Sequence, residues 1–286
     1  MATVDLFNFM AFLIVDNKKK EGKREKLLLK QRFRYYSYVL KNTFIHLDGI
    51  GISTEKKLWR KGIHNWNDLL ARGLEYLPKM RQPAVHSGVC ESIRRYDAGD
   101  WAFFEQGLPS SQKWRAYHDL KGRTLFLDIE TTGLTESDSI TLIGTYDGLE
   151  SKMFVAGVNL ESAAAEINRY PLLVTFNGTC FDLPVIRRHF ADIAENYIHI
   201  DLRYALRGLG YRGGLKAIER EFGIERSSET RFLGGWDAVR LWNQYLGGSR
   251  EALELLKKYN EEDVRNLKSL LETVCCLGSQ KIGLPV

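Results

Sequence analysis

The stretch Thr124-Leu-Phe-Leu-Asp128-Ile-Glu130-Thr-Thr-Gly133 begins the region with the clearest secondary-structure pattern. From Gly122 onward, short β-rich runs come first and then alternate with runs of helical periodicity. We predict strands at 124–128, 140–146, 152–155, 172–176 and 197–201, and helices at 160–169, 181–190, 215–221, 236–245 and 250–274. This order indicates an α/β fold with a mixed central sheet flanked by helices.

Two acidic residues stand at the end of the first predicted strand. Asp128 and Glu130 are two positions apart, so both side chains project to the same face of a strand. Carboxylates held this close repel each other unless a divalent cation lies between them. A solvated strand end has the same spacing, so this pair alone decides nothing.

A third acidic residue follows the strand predicted at 172–176. The segment Leu172-Leu-Val-Thr-Phe-Asn177-Gly-Thr-Cys-Phe181-Asp182 is typical of a buried strand, a turn and a helix start. Asp182 then lies in the first turn of that helix, close to the end of the strand. An acid there is also a common helix cap, and taken alone the segment favours the cap.

A fourth acidic residue lies within the last predicted helix. The inner stripe of that helix consists of Ala252, Leu255, Leu256, Tyr259, Asp263, Leu267, Leu270, Leu271 and Val274. Asp263 occupies a position where the stripe requires an apolar residue, one turn after Tyr259. An inward-facing carboxylate needs a partner, and the ends of the other motifs offer carboxylates rather than a cation. We therefore expect a metal ion.

Taken together and in this order, the motifs resemble those of the DEDD-superfamily 3′–5′ exonucleases, which have a ribonuclease H-like fold. Tyr259 is similar to the tyrosine that defines their tyrosine subclass. The flanking strings resemble the YprB-type ribonuclease H-like branch; they are His199-Ile-Asp201-Leu202, Gly213-Gly-Leu-Lys216, Leu241-Trp242 and Tyr259-Asn-Glu-Glu-Asp263-Val264. The resemblance covers about residues 121–275.

The resemblance implies a two-metal-ion hydrolase that releases nucleoside monophosphates from a 3′ end. Its four metal ligands would be Asp128, Glu130, Asp182 and Asp263, which would hold two Mg²⁺ or Mn²⁺ ions. Tyr259 would orient the attacking water or the scissile phosphate, and Asn177 would contact the substrate or brace its turn. A non-catalytic nucleic-acid-binding scaffold and an endonuclease of the same fold remain open alternatives, as does the choice between DNA and RNA. A single-stranded 3′ end is the favoured substrate.

Residues 42–77 resemble a helix-hairpin-helix module. In the turn Leu47-Asp-Gly49-Ile-Gly51, the glycines would expose backbone N–H groups at a helix N-terminus, where they can hold a phosphate. Lys56 and Lys57 follow where they could add positive charge. An ordinary helical hairpin that serves as a docking piece is an equally good interpretation.

Net charge, cysteine content and the length of the apolar run limit the class of protein to which this chain can belong. Residues 1–34 hold nine basic and four acidic side chains, an excess equal to the net charge of +5 of the whole chain. Four cysteines without a CxxC pair make neither a disulfide framework nor a zinc knuckle. The apolar run at 6–15 is too short to span a bilayer, so we expect a cytoplasmic protein.

The predicted divisions are a basic N-terminal arm (1–41), the helix-hairpin-helix-like module (42–77), a helical connector (78–120), the ribonuclease H-like exonuclease domain (121–275) and a tail (276–286).

Overall fold

A five-stranded mixed sheet lies at the centre of the fold. The computed structural model describes residues 39–133 and 139–285. The strands are β1 Thr124–Thr131, β2 Ile140–Tyr146, β3 Ser151–Val155, β4 Leu172–Thr175 and β5 Ile198–Asp201. They are arranged in the order β3-β2-β1-β4-β5. The β1/β2 and β2/β3 pairs are antiparallel, and the β1/β4 and β4/β5 pairs are parallel, which confirms the predicted α/β fold with a mixed sheet.

Helices surround the sheet and form the N-terminal part of the described chain. The α-helices are α1 Ile52–Arg60, α2 Trp66–Asp68, α3 Gln82–Asp97, α4 Trp101–Gly107, α5 Tyr117–Leu120, α6 Ala163–Ile167, α7 Asp182–His189, α8 Leu202–Leu209, α9 Leu215–Glu221, α10 Gly235–Leu246 and α11 Arg250–Ile282. Short 3₁₀ segments occur at Leu40–Asn42, Leu74–Tyr76, Lys79–Arg81, Ser110–Ala116, Lys121–Arg123 and Leu160–Ser162, and a π-helical turn at Leu69–Gly73. None of the described helices is both long enough and apolar enough to cross a membrane.

Both faces of the sheet are covered, which explains why most residues of its strands are buried. Leu125, Leu127 and Ile129 of β1 project to one face, where they pack in a cluster with residues of α6 and α7. On the other face, Leu142 of β2 packs with residues of α10 and α11. Asp128 and Glu130 alternate with the first set, so they face α11.

The last helix is longer than the sequence predicts. Ser249 caps its N-terminus by accepting from the Ala252 N–H, and Gly283 ends it in the left-handed conformation at φ 67°. Residues 276–282, predicted as part of a tail, continue the helix. A Cβ at Gly278 would lie 2.6 Å from the Trp114 ring. The glycine therefore permits close packing here instead of ending the helix.

The predicted N-terminal module is packed into the body. Its first helix, α1, starts at Ile52, and Gly62, at φ 78°, follows its end. Glu55 of α1 is fully buried and pairs with the fully buried Arg115 at 2.9 Å. The described residues all belong to one compact unit. The predicted basic arm, apart from residues 39–41, lies outside the described residues, and its role stays a prediction.

Candidate active site

Three of the four predicted acidic ligands meet where β1 ends against α11. Oxygen atoms of Asp128, Glu130 and Asp263 all lie within 4.8 Å of one another. Glu130 and Asp263 are buried, and Asp128 is partly exposed. The alternation of β1 presents the first two, and the turn of α11 after Tyr259 presents the third.

Asp182 joins these three in a cleft of about 550 Å³, which we call the carboxylate cleft. It is the first residue of α7, and its buried carboxylate accepts a hydrogen bond from the Ile129 N–H of β1. The acid is therefore directed at the end of the strand that carries Asp128 and Glu130. Tyr259 and Asn177 line the same cleft.

Burial and mutual repulsion make these carboxyls hard to ionise. Desolvation, followed by the charge of Asp263, raises the pKa of Glu130 to about 8. Desolvation is also the main cause that raises the pKa of Asp182 to about 7 and that of Asp263 to about 6. The pKa of Asp128 is raised well above its usual range by burial and by the charges of Asp263, Asp182 and Glu130. Such a cluster gains from any cation that replaces its protons.

The donor set fits Mg²⁺ or Mn²⁺, which prefer oxygen ligands. Asn260, fully buried on α11, donates from Nδ2 to Asp128 Oδ2 at 2.8 Å and to Glu130 Oε1 at 3.3 Å. Its own Oδ1 is buried without a hydrogen-bond partner among the described residues. Gly144 of β2 makes room for this amide, because a Cβ there would lie 1.6 Å from Asn260 Oδ1. Sequence reasoning missed Asn260, which appeared only inside a flanking string.

One expectation about Asp263 was wrong. The sequence suggested only carboxylate partners, whereas Arg226, from the loop after α9, forms an ion pair with Asp263 through Nη2. The same guanidinium donates from Nε to Glu219 Oε2 at 2.6 Å. Arg226 lies 37 residues from Asp263 in a segment without periodicity, so no sequence pattern pointed to this contact.

Tyr259 has a cationic neighbour that the sequence did not assign. Lys216 Nζ donates to the Tyr259 hydroxyl at 3.2 Å and lies 4.3 Å from the ring centroid. Burial, then the charge of Asp263, raises the pKa of Tyr259 far above its usual range. The tyrosine therefore stays protonated and can donate a hydrogen bond into the cleft. Lys216 belongs to one of the flanking strings, but the string gives no sign of its contact with Tyr259.

Asn177 lies in a strained turn between β4 and α7. Its φ is 69°, and it is the one residue other than glycine with positive φ in the described chain. Asp201 holds this turn, because its carboxylate accepts from the N–H groups of Asn177 at 2.8 Å and Thr179 at 3.1 Å. The side-chain oxygen of Asn177 accepts from Arg203. These contacts fit the bracing role that was one of its two predicted roles.

The four residues predicted to contact nucleic acid in the N-terminal module lie elsewhere. The described lining of the carboxylate cleft includes none of Gly49, Gly51, Lys56 and Lys57. Gly49 has a φ of 78°, and its carbonyl oxygen accepts from Arg81 at 2.9 Å. Lys56 Nζ donates to the Lys281 carbonyl oxygen at 3.1 Å, near the end of α11, while Lys57 is exposed. The phosphate-binding role of this turn stays a prediction.

The similarity to known proteins concerns the part of the chain that contains the carboxylate cleft. One solved structure to which part of this chain is similar is the family B DNA polymerase from the hyperthermophilic archaeon Pyrobaculum calidifontis, at 18% identity and a TM-score of 0.43. The similar region covers 53% of this chain and 24% of the polymerase chain, so it spans about a quarter of that protein. A search of curated proteins found no match. A family of the RNase H superfamily (RNase_H_2) matches residues 125–275, which is more than half of the sequence and runs from β1 into α11. The chain therefore belongs to the RNase H superfamily.

Proposed function

We propose that the protein is a metal-dependent 3′–5′ exonuclease of the tyrosine subclass of the DEDD superfamily. The observation that carries this proposal is the convergence of Asp128, Glu130 and Asp263 within 4.8 Å, in a cleft that Asp182 and Tyr259 also line. Superfamily membership supports a nuclease. The order of the acids along the chain and the tyrosine one turn before Asp263 support the subclass.

The flanking strings support the YprB-type branch through their positions in the fold. Lys216 contacts Tyr259, and Asp201 holds the turn that leads to Asp182. Leu241 and Trp242 of α10 are buried in the cluster that packs against β2 and α11. Each string thus supports the cleft or the helix behind it.

The four carboxylates would hold two Mg²⁺ or Mn²⁺ ions, which supply an activated water and stabilise charge on the leaving oxygen when bound. Asn260 keeps Asp128 and Glu130 oriented by donating to both. Tyr259, protonated and hydrogen-bonded by Lys216, donates to the attacking water or to a phosphate oxygen. Arg226 offsets the negative charge that the cluster carries at Asp263.

The rim of the cleft suits single-stranded nucleic acid. Trp236 is 73% exposed and lines the cleft next to the backbone of Gly234 and Gly235. An exposed indole at a polar cleft can stack on an unpaired base irrespective of its identity. We propose an unpaired 3′ end, of DNA or of RNA, as the substrate.

The experiment is a comparison of substrate ends. Linear DNA and RNA strands with a 5′ label, the same strands with a blocked 3′ hydroxyl, and a single-stranded circle are incubated with the protein in Mg²⁺ or Mn²⁺. We expect a ladder that shortens from the free 3′ end, with nucleoside monophosphates as products and no cleavage of the circle. Cleavage of the circle would indicate an endonuclease instead, and binding without cleavage a non-catalytic scaffold.

A further inference from the structure

A second, smaller groove lies beside the carboxylate cleft. It has a volume of about 280 Å³, and its lining includes Arg203 and Arg207 of α8, Arg212, Tyr211 and Phe176. We call it the arginine groove. Of the described residues that line it, none carries a carboxylate. The groove is therefore strongly cationic, unlike the acidic cleft next to it.

The two cavities are joined at three points. Phe176 lines both of them. Gly213 lines the groove, and the next residue, Gly214, lines the cleft. Arg203 of the groove donates to the side chain of Asn177, which lines the cleft. A chain that leaves the cleft past Phe176 would enter the groove directly.

Two of the three arginines of the groove make no contact with the rest of the described chain that stabilises the fold. Arg207 and Arg212 are exposed, and neither has a hydrogen bond or an ion pair from its side chain among the described residues. Arg203 and Arg207 are four residues apart on α8, a spacing at which like charges on a helix repel each other. Several exposed arginines on the helices of this protein pair with acids three or four residues away, as Arg94, Arg240 and Arg265 do, whereas Arg207 does not. A like-charged cluster without acids is typical of a site that binds an anion.

We propose that the arginine groove binds the backbone phosphates of the single strand whose 3′ end lies in the carboxylate cleft. This inference rests on the proposed exonuclease function. A guanidinium matches two oxygens of a phosphate at once, and three guanidiniums can follow successive phosphates of a flexible strand. Tyr211, packed against Phe222 with ring centroids 4.7 Å apart, and Phe176 provide aromatic walls for sugars and bases.

Hydrogen bonds to Asp201 fix the position of the arginine groove relative to the proposed metal ligands. Asp201 starts α8 by accepting from the Arg203 N–H at 3.0 Å, and it also holds the turn at Asn177 and Thr179 that precedes Asp182. The helix that carries two of the arginines and the turn that precedes one acid therefore share one anchor. A strand held in the groove would have its end at a fixed distance from the acids.

The test compares Arg207→Gln/Arg212→Gln with Arg188→Gln/Arg250→Gln. The control pair removes the same charge from two exposed arginines that line neither cavity. Binding of a fluorescent single strand of about ten nucleotides is measured by anisotropy in the presence of a metal chelator, where no hydrolysis is expected. At about 0.7 counterions per phosphate contact on a single strand, the groove variant should lower the slope of log K against log salt by roughly 1.4. We expect about a tenfold or greater loss of affinity for the groove variant and a much smaller loss for the control.

Hydrolysis provides the second measurement. In Mn²⁺, the groove variant should raise the KM for the long strand, leave kcat unchanged and leave the hydrolysis of a dinucleotide unchanged, because a dinucleotide occupies only the cleft. Equal effects of the two double variants on affinity, or native affinity of the groove variant, would overturn the inference. If the native protein hydrolyses no strand, the proposed function fails, and the binding measurement still decides whether the groove holds a strand.

Discussion

Asp263 is an acidic residue in the otherwise apolar stripe of α11. Charged side chains lie on two sides of its carboxylate. Asp128 and Glu130 approach from β1, and Arg226 approaches from the loop after α9. Removing a positive charge from such a site is costly, since it leaves buried carboxylates without a partner. Arg226 therefore stabilises the fold while the cluster has no metal ion.

Arg226→Gln should destabilise the metal-free protein by about 3–5 kcal/mol, because both Glu219 and Asp263 lose their buried cationic partner. Urea unfolding with and without Mn²⁺ measures this, and Mn²⁺ should restore part of the loss. Arg240→Gln is the matched control, since it breaks an exposed pair with Asp237 and should cost less than about 1 kcal/mol. Native stability of Arg226→Gln would show that the ion pair is not needed.

Tyr259→Phe should slow hydrolysis by about 10- to 150-fold, the cost of one hydrogen bond to a charged group. The hydroxyl is the only group removed, so the upward shift of the melting temperature by Mn²⁺ should equal that of the native protein. Single-turnover kinetics and thermal unfolding provide the two readings. A lost metal response would instead place Tyr259 among the groups that form the metal site.

The acids of the site could be predicted from the sequence, whereas their polar supports could not. Asp263 breaks a helical stripe, and Asp128 and Glu130 have the spacing of one strand face, so each leaves a local pattern. Arg226 and Asn260 leave no such pattern, because their contacts join segments that are distant in the chain. Lys216 appeared in a recognisable string, but its contact with Tyr259 depends on how α9 packs against α11.

The helices and strands show the same difference between features that a local sequence pattern predicts and features that depend on contacts distant in the sequence. All five strands could be predicted because each is a short β-rich run. Helix α8 was missed, since it follows β5 without a break. Asp201 is both the last residue of β5 and the N-cap of α8. The predicted end of α11 at residue 274 was wrong, because the helix continues to Ile282 and packs on Trp114 through Gly278.

The N-terminal module is joined to the body by the buried pair of Glu55 and Arg115. Glu55 also accepts from the N–H groups of Phe44 and Ile45, at 2.6 and 3.3 Å. Arg115→Met should cost about 3–5 kcal/mol of unfolding free energy, because a carboxylate is left buried and unpaired. The double variant Glu55→Gln/Arg115→Met should recover part of this loss. Denaturant unfolding of the two variants measures the difference, and a smaller loss in the single variant than in the double would contradict the pairing.

For the whole molecule, we expect the acid cluster to make stability depend on pH and on metal. The folded-state pKa values of Glu130 and Asp182, about 8 and 7, lie above those of unfolded carboxyls, so the folded protein binds more protons than the unfolded chain. Stability from this source is present at low pH and is lost as the pH rises toward 8. Below about pH 6.5, His46 and His199 act in the opposite direction, because burial lowers their pKa values to about 3 and about 4.

Between pH 6.5 and 8.5, the metal-free protein should therefore lose about 1–2 kcal/mol of stability, and Asp128→Asn should lose less. In millimolar Mn²⁺ the trend should reverse for the native protein, since the cation competes with protons for the same oxygens. Thermal unfolding across this range measures both slopes. Identical slopes for the native protein and for Asp128→Asn, with and without Mn²⁺, would mean that the acids do not act as a coupled metal site.

Hydrolysis of a 5′-labelled single strand by the native protein, by Asp128→Asn and by Asp192→Asn tests the proposed metal-dependent nuclease activity directly. Asp192 is an exposed acid outside the cleft, so its variant controls for the loss of one negative charge. We predict that the native protein and Asp192→Asn shorten the strand in Mn²⁺ and stop when the metal is chelated. Asp128→Asn should be at least about a hundredfold slower, because one oxygen ligand is lost while the shape of the side chain is kept. Hydrolysis by Asp128→Asn at the native rate, or by the native protein in chelator, would show that Asp128 does not hold a catalytic metal ion.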